Sequence, residues 1–405
     1  MSDPALDAGE PLFNPLSPEF RNNPYPAYHL LRERDPLYES PFGFRVATRY
    51  QDVAFVLRDK RFIKGYVESL VQQGTNPGEP IFKFLSETML LTNPPDHTRL
   101  RGLVAKVFTA RRIEEMRPRI QAIVDKMVDD LEGQGHMDAI GDFAFPLPFT
   151  VICEMLGIPE DERELLMERS LFSGRAIDPV PMNPEELEDA NKNIQLMQDY
   201  FLRLCDERRG NPGDDLITAL VNAEEQGDVL SSDELVSNIV LLFLAGHETT
   251  VNLIGNGLLA LYNNRDQLDL LKSDFSLMPN AVEELLRYDS SVQLSGRTAS
   301  EDMDVGGIAI KSGEQILTSL GAANRDPAIY EDPDKLDITR KNIKPLSFGG
   351  GIHHCLGAQL ARLEGEVTLT TLLKRLPNFE LDDPQNPQWR PTFTLRGLIN
   401  LPAHW

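Results

Sequence analysis

Residues 347–364 read SFGGGIHHCLGAQLARLE, and this stretch decides the fold. A helical pattern starts directly after Cys355, behind three consecutive glycines at positions 349–351. Glycines let a backbone lie close to a flat ligand, and a helix start offers free N–H groups and a positive dipole end. These features favour a cysteine thiolate, the form that binds metal ions. A glycine loop that merely caps a helix is the alternative at this point.

The other two cysteines, Cys153 and Cys205, lie in apolar helical patterns, where cysteine usually serves as a small buried hydrophobe. Three cysteines spaced far apart fit a reducing compartment without a disulfide framework. A zinc site is disfavoured, because His353, His354 and Cys355 are adjacent and cannot all reach one tetrahedral ion. Cys355 is therefore the candidate ligand of a different metal group.

Composition and charge limit the possible partners. The 405 residues are 41% hydrophobic and 25% charged, which is typical of a globular protein. With 40 basic and 63 acidic residues, the net charge of −23 makes nucleic acid and anionic membranes poor partners. The apolar stretch at residues 239–245 is far shorter than the roughly 20 residues of a membrane-spanning helix. Residues 1–26 carry acids and prolines and do not read as a signal sequence. We therefore expect a cytoplasmic protein that binds neither nucleic acid nor a membrane.

The pattern along the chain predicts one mainly α-helical, α+β domain with small β-sheets. After an N-terminal tail at residues 1–22, short strand-like runs alternate with helices over the first hundred residues. Residues 97–290 form the helical bulk, and strand-like pieces follow at 303–310 and 315–319. The Cys355 loop and its helix occupy residues 345–365. Because no repeat or linker divides the sequence, we predict a single domain over residues 1–405.

A long central helix is predicted at about residues 233–262. Ser231 and Glu234 form a capping box at its start. Its middle reads LAGHETT, although glycine and threonine are poor helix formers. One explanation is that the threonines bond back to the preceding turn and bend the helix, with His247 and Glu248 facing solvent. The other is that these polar groups have a catalytic function.

The stretch Phe348–Gly357 resembles the haem-binding loop of the cytochrome P450 family, and the middle of the long helix resembles the family's oxygen-activation groove. The resemblance implies the cytochrome P450 fold, haem b as cofactor, and Cys355 as the axial ligand of the iron. It also implies that Glu248 and Thr249 deliver protons. Further cofactor-binding positions implied by the resemblance are Phe348, Gly349, His353 and Gly357 in the loop and Ala245 and Gly246 in the long helix.

The resemblance extends over nearly the whole chain and assigns further residues. His97, Arg101 and Arg297 match the cations that hold the haem propionates, a task that surface charges lack. Glu284 and Arg287, three residues apart on one helix face, match a structural pair that braces the irregular stretch after it. The positions that match the substrate pocket are all apolar: Leu241, Leu244, Ala245, Val292 and Leu395.

The resemblance implies a monooxygenase that uses O₂ and two electrons from NAD(P)H to hydroxylate or epoxidise a hydrophobic small molecule. We expect the electrons to arrive through a ferredoxin and its reductase, and we expect a monomer. A peroxide-driven haem-thiolate enzyme does not need a proton relay, so Glu248 and Thr249 disfavour that alternative. A haem sensor or electron carrier has no use for a threonine beside the oxygen site. The substrate stays open between a steroid, a terpenoid, a macrolide-like product and a fatty acyl group.

A local reversal of charge suggests where the ferredoxin binds. From His97 to Arg119 there are seven basic residues against two acidic ones, a local balance of +5. We expect most of these cations to form a basic patch with Arg362 on the cysteine side of the haem, with Arg112 in it. The seven are Arg99, Arg101, Lys106, Arg111, Arg112, Arg117 and Arg119.

Overall fold

The computed structural model describes residues 12–170, 173–225 and 231–405. The helices are α1 (Pro18–Asn22), α2 (Tyr25–Arg34), α3 (Tyr50–Arg58), α4 (Tyr66–Gln72), α5 (Pro80–Ser86), α6 (Asp96–Val107), α7 (Ala110–Glu115), α8 (Arg117–Leu131), α9 (Pro146–Leu156), α10 (Arg163–Arg169), α11 (Ser173–Ala176), α12 (Pro184–Gly210), α13 (Leu216–Glu225), α14 (Ser232–Asn263), α15 (Arg265–Ser273), α16 (Met278–Tyr288), α17 (Leu320–Ala323) and α18 (Ala358–Arg375). The strands are β1 (Leu37–Glu39), β2 (Arg45–Ala47), β3 (Phe62–Ile63), β4 (His136–Asp138), β5 (Leu294–Ala299), β6 (Met303–Val305), β7 (Ile308–Ile310), β8 (Gln315–Ser319), β9 (Glu380–Leu381) and β10 (Pro402–His404).

The long helix α14 is the centre of the fold. Its start is fixed by the predicted capping box: Ser231 Oγ accepts from the N–H of Glu234 at 3.1 Å, and the Glu234 carboxylate accepts from the N–H of Ser231 at 2.9 Å. The observed bounds lie within one residue of the prediction at each end. Most of the helix is buried on every side, and α9, α12, α16 and α18 pack around it. A helix buried all round crosses the interior and does not lie on a surface.

Three small sheets lie outside the helical body. The largest has the order β1-β2-β8-β5-β3, with β2 and β8 parallel and the other pairs antiparallel. Strands β4, β10 and β9 form a second sheet, and β6 and β7 form a hairpin within the predicted stretch 303–310. In the first sheet Ile63 pairs with Thr298, so the chain after β3 continues alongside Arg297.

The apolar core confirms the reading of two cysteines. Cys153 and Cys205 are both 0% exposed and belong to the main hydrophobic cluster around α14. Burial raises the pKa of Cys153 to about 12, so its thiol stays protonated at neutral pH. Both residues serve as small apolar side chains.

Two further predictions concern the chain ends and the membrane. Residues 1–11 of the predicted tail lie outside the described residues, whereas Phe13 is fully buried and packs against Phe20 and Phe44. The segment Ala139–Leu156 is apolar and long enough to cross a bilayer, but 61% of it is buried inside the protein. Such burial is typical of a core helix in a globular protein.

Candidate active site

One cavity of about 470 Å³ brings the predicted site together. Almost every candidate functional residue lines it; His97 lies behind the wall, and Glu284 and Arg287 lie elsewhere. Cys355 and its loop form one wall, and the middle of α14 forms another. The remaining walls come from α4, α5, the connection between α11 and α12, and the loop that contains Leu395.

Cys355 faces this cavity at the start of α18. The residue is accessible from the cavity although protein surrounds the thiol. Burial raises the pKa of the Cys355 thiol, and the N–H groups of Gly357 and Ala358 with the nearby Arg101 and Arg362 guanidiniums oppose that rise. The N–H groups at the helix start lower the pKa of the thiol as expected, but desolvation of the thiolate outweighs them. A positive metal centre is what would favour the thiolate here.

Backbone conformation requires two of the loop glycines, and close packing also requires Gly351. Gly351 has φ +66°, and a Cβ added there would lie 2.3 Å from the carbonyl oxygen of Leu57. Gly349 is also left-handed, at φ +68°. The glycine at 351 is thus required by close packing against the end of α3. The backbone N–H of Cys355 donates to the carbonyl of Phe348 at 2.9 Å, which closes the loop.

A cluster of basic side chains lies at the edge of the cavity. Arg101 and Arg297 approach it from α6 and β5, and the ring centroids of His97 and His353 lie 4.2 Å apart with the rings tilted by 55°. Burial and then the surrounding cations lower the pKa of His97 to about 4 and that of His353 to about 2. Neither ring nitrogen of His97 has a hydrogen-bond partner among the described residues. Buried donors and cations without a carboxylate fit an anionic group, and the two propionates of haem carry that charge.

Lys64 is a fifth member of this cluster, and sequence reasoning missed it. It follows β3 directly, so the β3–β5 register places it beside Arg297. Its side chain lines the cavity, and burial followed by the charge of Arg297 lowers its pKa well below the usual value. The backbone N–H of Lys64 donates to Asn93 Oδ1 at 2.9 Å, which fixes its position. The sequence carries no signal for this residue, because the pairing joins distant segments.

The polar middle of α14 faces the cavity in part. Glu248 and Thr249 line it, and Thr249 Oγ1 donates to the carbonyl of Ala245 at 3.3 Å, as a back-bonded threonine does. A Cβ at Gly246 would lie 3.0 Å from Ile152 Cγ1, so this glycine also permits close packing of α9. His247 does not face solvent: it is 1% exposed, and its Nδ1 lies 2.9 Å from the carbonyl of Phe243.

Glu364 on α18 is a second residue that the sequence did not reveal. It is 1% exposed and lines the cavity. Burial raises its pKa to about 8; the Thr250 hydroxyl opposes the rise, yet neither carboxyl oxygen has a well-formed hydrogen bond within the described residues. The group is therefore neutral at neutral pH.

The predicted pair Glu284 and Arg287 lies in the core, away from the cavity. Both side chains are 0% exposed, and two N–H···O bonds of 2.7 Å join them. Arg287 also donates to the carbonyls of Asn324, Pro333 and Lys335 at 2.7–3.1 Å. These bonds hold residues 324–335, which belong to the irregular stretch that was predicted after this helix. Because every N–H group of the Arg287 guanidinium already has an acceptor in the protein, the pair needs no ligand to satisfy it.

The predicted basic patch carries less net positive charge than the count of basic and acidic residues from His97 to Arg119 suggests. Arg99 pairs with Glu234, Arg117 with Glu114 and Glu366, and Arg119 with Glu154. Arg111 pairs with Glu115, and Arg362 pairs with Glu283. The balance of +5 counted only neighbours in sequence, whereas acids from other helices neutralise several of these arginines.

The predicted pocket residues form one apolar region. Leu241 and Leu244 project from α14, and Val292 and Leu395 pair through an isolated β-bridge. All four line the cavity, as does Ala245. An apolar wall of this kind binds hydrophobic ligands and excludes water.

A metal ion would favour the thiolate form of Cys355, and the basic cluster beside it fits an anionic group. Both features together match the class of haem-thiolate oxygenases. The family model described as cytochrome P450 matches residues 37–273 and 271–403. Cytochrome P450 107B1 of Saccharopolyspora erythraea is 44% identical over 363 residues, which cover 88% of each chain.

Two solved structures are similar throughout. The Bacillus subtilis 168 bacillaene polyketide synthase cytochrome P450 PksS is 40% identical, with a TM-score of 0.87, over 97% of this chain and 99% of that one. P450BioI, in complex with an acyl carrier protein ligated to hexadec-9Z-enoic acid, is 38% identical with a TM-score of 0.88, over 96% of this chain and 100% of that one. This chain belongs to the cytochrome P450 family, and it is a haem-dependent monooxygenase of hydrophobic small molecules.

Proposed function

We propose that this protein hydroxylates or epoxidises a hydrophobic substrate of the fatty-acyl or polyketide type, with Cys355 as the iron ligand. The observation that carries the proposal is a cavity that is lined by Cys355, the Glu248–Thr249 pair and an apolar wall together. The names of two similar proteins support the substrate class, since one carries an acyl chain on a carrier protein and the other serves a polyketide synthase. Two electrons from NAD(P)H arrive through a ferredoxin and its reductase, and the protein is a cytoplasmic monomer.

The cation cluster gives the cofactor its orientation. Lys64, Arg101 and Arg297 would neutralise the two propionates, and His97 and His353 would donate hydrogen bonds to them. Haem, once bound, supplies the oxygen activation and the one-electron chemistry. The chain contributes the sulfur ligand, the counter-charges and the exclusion of water.

The residues on α14 move protons. The 3.3 Å bond from Thr249 Oγ1 to Ala245 is weak, so the hydroxyl can exchange it for a partner in the cavity. Thr249 Oγ1 would then pass a proton into the part of the cavity beside α14, on the side opposite Cys355, and the Glu248 carboxyl would return a proton to the hydroxyl. Leu241, Leu244 and Val292 hold the substrate against this wall.

Ligation is tested with the carbon monoxide spectrum of the reduced protein. The wild type should give the red-shifted Soret band of thiolate-ligated haem, and Cys355→Ser should abolish it because no thiolate then reaches the iron. Cys153→Ser is the matched control and should keep the band, since that thiol is buried in the core. Loss of the band in the control and not in Cys355→Ser would refute the assignment.

Proton delivery is tested with Thr249→Ala. Product should fall at least about tenfold while NAD(P)H oxidation continues and hydrogen peroxide rises, because the missing group handles protons and not electrons. Ser237→Ala is the control, because that hydroxyl lies on the same helix, does not line the cavity and donates to Glu87 Oε2 at 3.1 Å. Product formed equally well from peroxide without reductant would favour the peroxide-driven alternative.

A further inference from the structure

Residues 175–182, here called the lid segment, connect α11 to α12 and line the cavity along their whole length. Ala176 is 7% exposed, and Ile177 and Met182 pack against the main hydrophobic cluster. The segment therefore forms a wall of the cavity between two helices.

Arg175 organises the lid segment from within. Its Nη1 donates to the carbonyl of Val180 at 2.8 Å, and its Nη2 donates to the carbonyl of Pro181 at 2.9 Å. Its Nε donates to Glu186 in the first turn of α12 at 3.2 Å. These bonds tie the segment to itself and to α12, so it can move as one unit.

Asp178 ties the same segment to a distant part of the chain. Its Oδ1 accepts from the backbone N–H of Thr394 at 2.8 Å and from that of Phe393 at 3.2 Å. The Thr394 hydroxyl donates back to the carbonyl of Ile177 at 3.0 Å. Thr394 and its neighbour Leu395 line the cavity too. The contact thus joins two walls of the cavity to each other.

The Asp178 carboxylate is a costly group to bury. Its side chain is 0% exposed, and its Oδ2 has no hydrogen-bond partner within the described residues, with Arg175 Nη1 3.7 Å away. Burial raises its pKa to about 6, although the N–H groups of Thr394 and Phe393 and the charge of Arg175 oppose the rise. A half-satisfied carboxylate contributes little net stability. Its distinct contribution is the position of the lid segment.

We propose that Asp178 is a positioning residue that latches the lid segment onto Phe393 and Thr394 and thereby sets how long a substrate is retained in the cavity. The proposal rests on the proposed function, because retention concerns the substrate that this cavity holds. Asp178 acts through backbone contacts and touches no reacting atom.

Hydrogen–deuterium exchange of the ferric haem-loaded protein tests the latch. In Asp178→Ala the amides of the lid segment and those of Phe393 and Thr394 should exchange at least about tenfold faster, since the acceptor of two N–H groups is gone. Asp178→Asn should restore most of the protection, because its amide oxygen can accept both bonds. Asp215→Ala is the matched control: Asp215 also pairs with an arginine and accepts a backbone N–H, but it lies away from the cavity.

Retention is measured by stopped-flow dissociation of 4-phenylimidazole from the ferric iron. Asp178→Ala should release it about tenfold faster, with Asp178→Asn near wild type. If Asp178→Ala does not fold, Thr394→Val removes the bond to Ile177 and should raise exchange in the same amides by a smaller factor.

Unchanged exchange in the lid segment of Asp178→Ala, or equal acceleration in Asp215→Ala, would overturn the latch. Faster exchange with unchanged dissociation would overturn its role in retention. A wild-type protein without the thiolate Soret band would instead refute the proposed function and leave the exchange result standing.

Discussion

The protein buries two clusters of charge, and the two differ in whether the chain completes them. Around Arg287 every donor has an acceptor within the protein, and Glu284 supplies the opposite charge. Around Arg297 lie Lys64, two histidines and a second arginine, and the pKa values of Lys64 and both histidines are lowered first by burial and then by neighbouring basic groups. A balanced buried cluster holds the fold together, whereas an unbalanced one indicates a ligand of opposite charge.

Breaking the balanced cluster should have the largest effect on stability. Glu284→Gln leaves Arg287 and Arg340 without their carboxylate in the core. We expect a loss of about 3–5 kcal/mol in the free energy of unfolding, with and without haem. Urea unfolding measures it. Glu115→Gln, which breaks the exposed pair with Arg111, should cost less than about 1 kcal/mol; equal losses in the two variants would contradict the distinction.

Glu364 is a third buried ionisable group to compare, an acid whose pKa is shifted by burial without the opposing effect of a nearby cation. Its folded pKa of about 8 lies above the unfolded value near 4.5, so the folded state binds the extra proton between these values. Stability therefore falls as pH rises through this window. Each unit of difference corresponds to about 1.4 kcal/mol, so a loss of about 3 kcal/mol from pH 5 to pH 8 is expected.

The measurement compares wild type with Glu364→Gln in urea at pH 5, 6.5 and 8. The variant should lack this part of the pH dependence, so its advantage over the wild type should grow with pH. Parallel curves for the two proteins would show that Glu364 ionises in the folded state as it does in water.

Local signals allowed the sequence to predict much of this molecule. The capping box at Ser231 and Glu234 places the start of α14, and the glycines before Cys355 mark its loop, because both depend on near neighbours. Lys64 and Glu364 were missed because their environment comes from packing between distant segments. For the same reason the sequence overestimated the charge of the basic patch, because several of its arginines pair with acidic residues on other helices.

The family resemblance, and not the pattern, supplied the roles of the propionate cations. From charge alone, His97 and Arg101 are two polar residues on one helix face. The structure adds one basic side chain, Lys64, to those that the resemblance named, and within the described residues no carboxylate contributes to the lowered pKa of Lys64 or of His353.

The smallest expected effect is also the sharpest test of the unbalanced cluster. Lys64→Met removes a partly buried basic side chain that lies near Arg297, directly after the last residue of the β3–β5 pairing. Like charges in neighbouring strand positions destabilise a sheet, so the haem-free protein should gain about 1 kcal/mol in the free energy of unfolding. The haem-loaded protein should instead lose its haem several-fold faster to apomyoglobin, because one counter-charge of the propionates is gone. Lys60→Met makes the same change at an exposed position four residues earlier and should alter neither quantity. A Lys64→Met variant that is destabilised equally with and without haem would behave like Glu284→Gln, and the distinction between the two clusters would then fail.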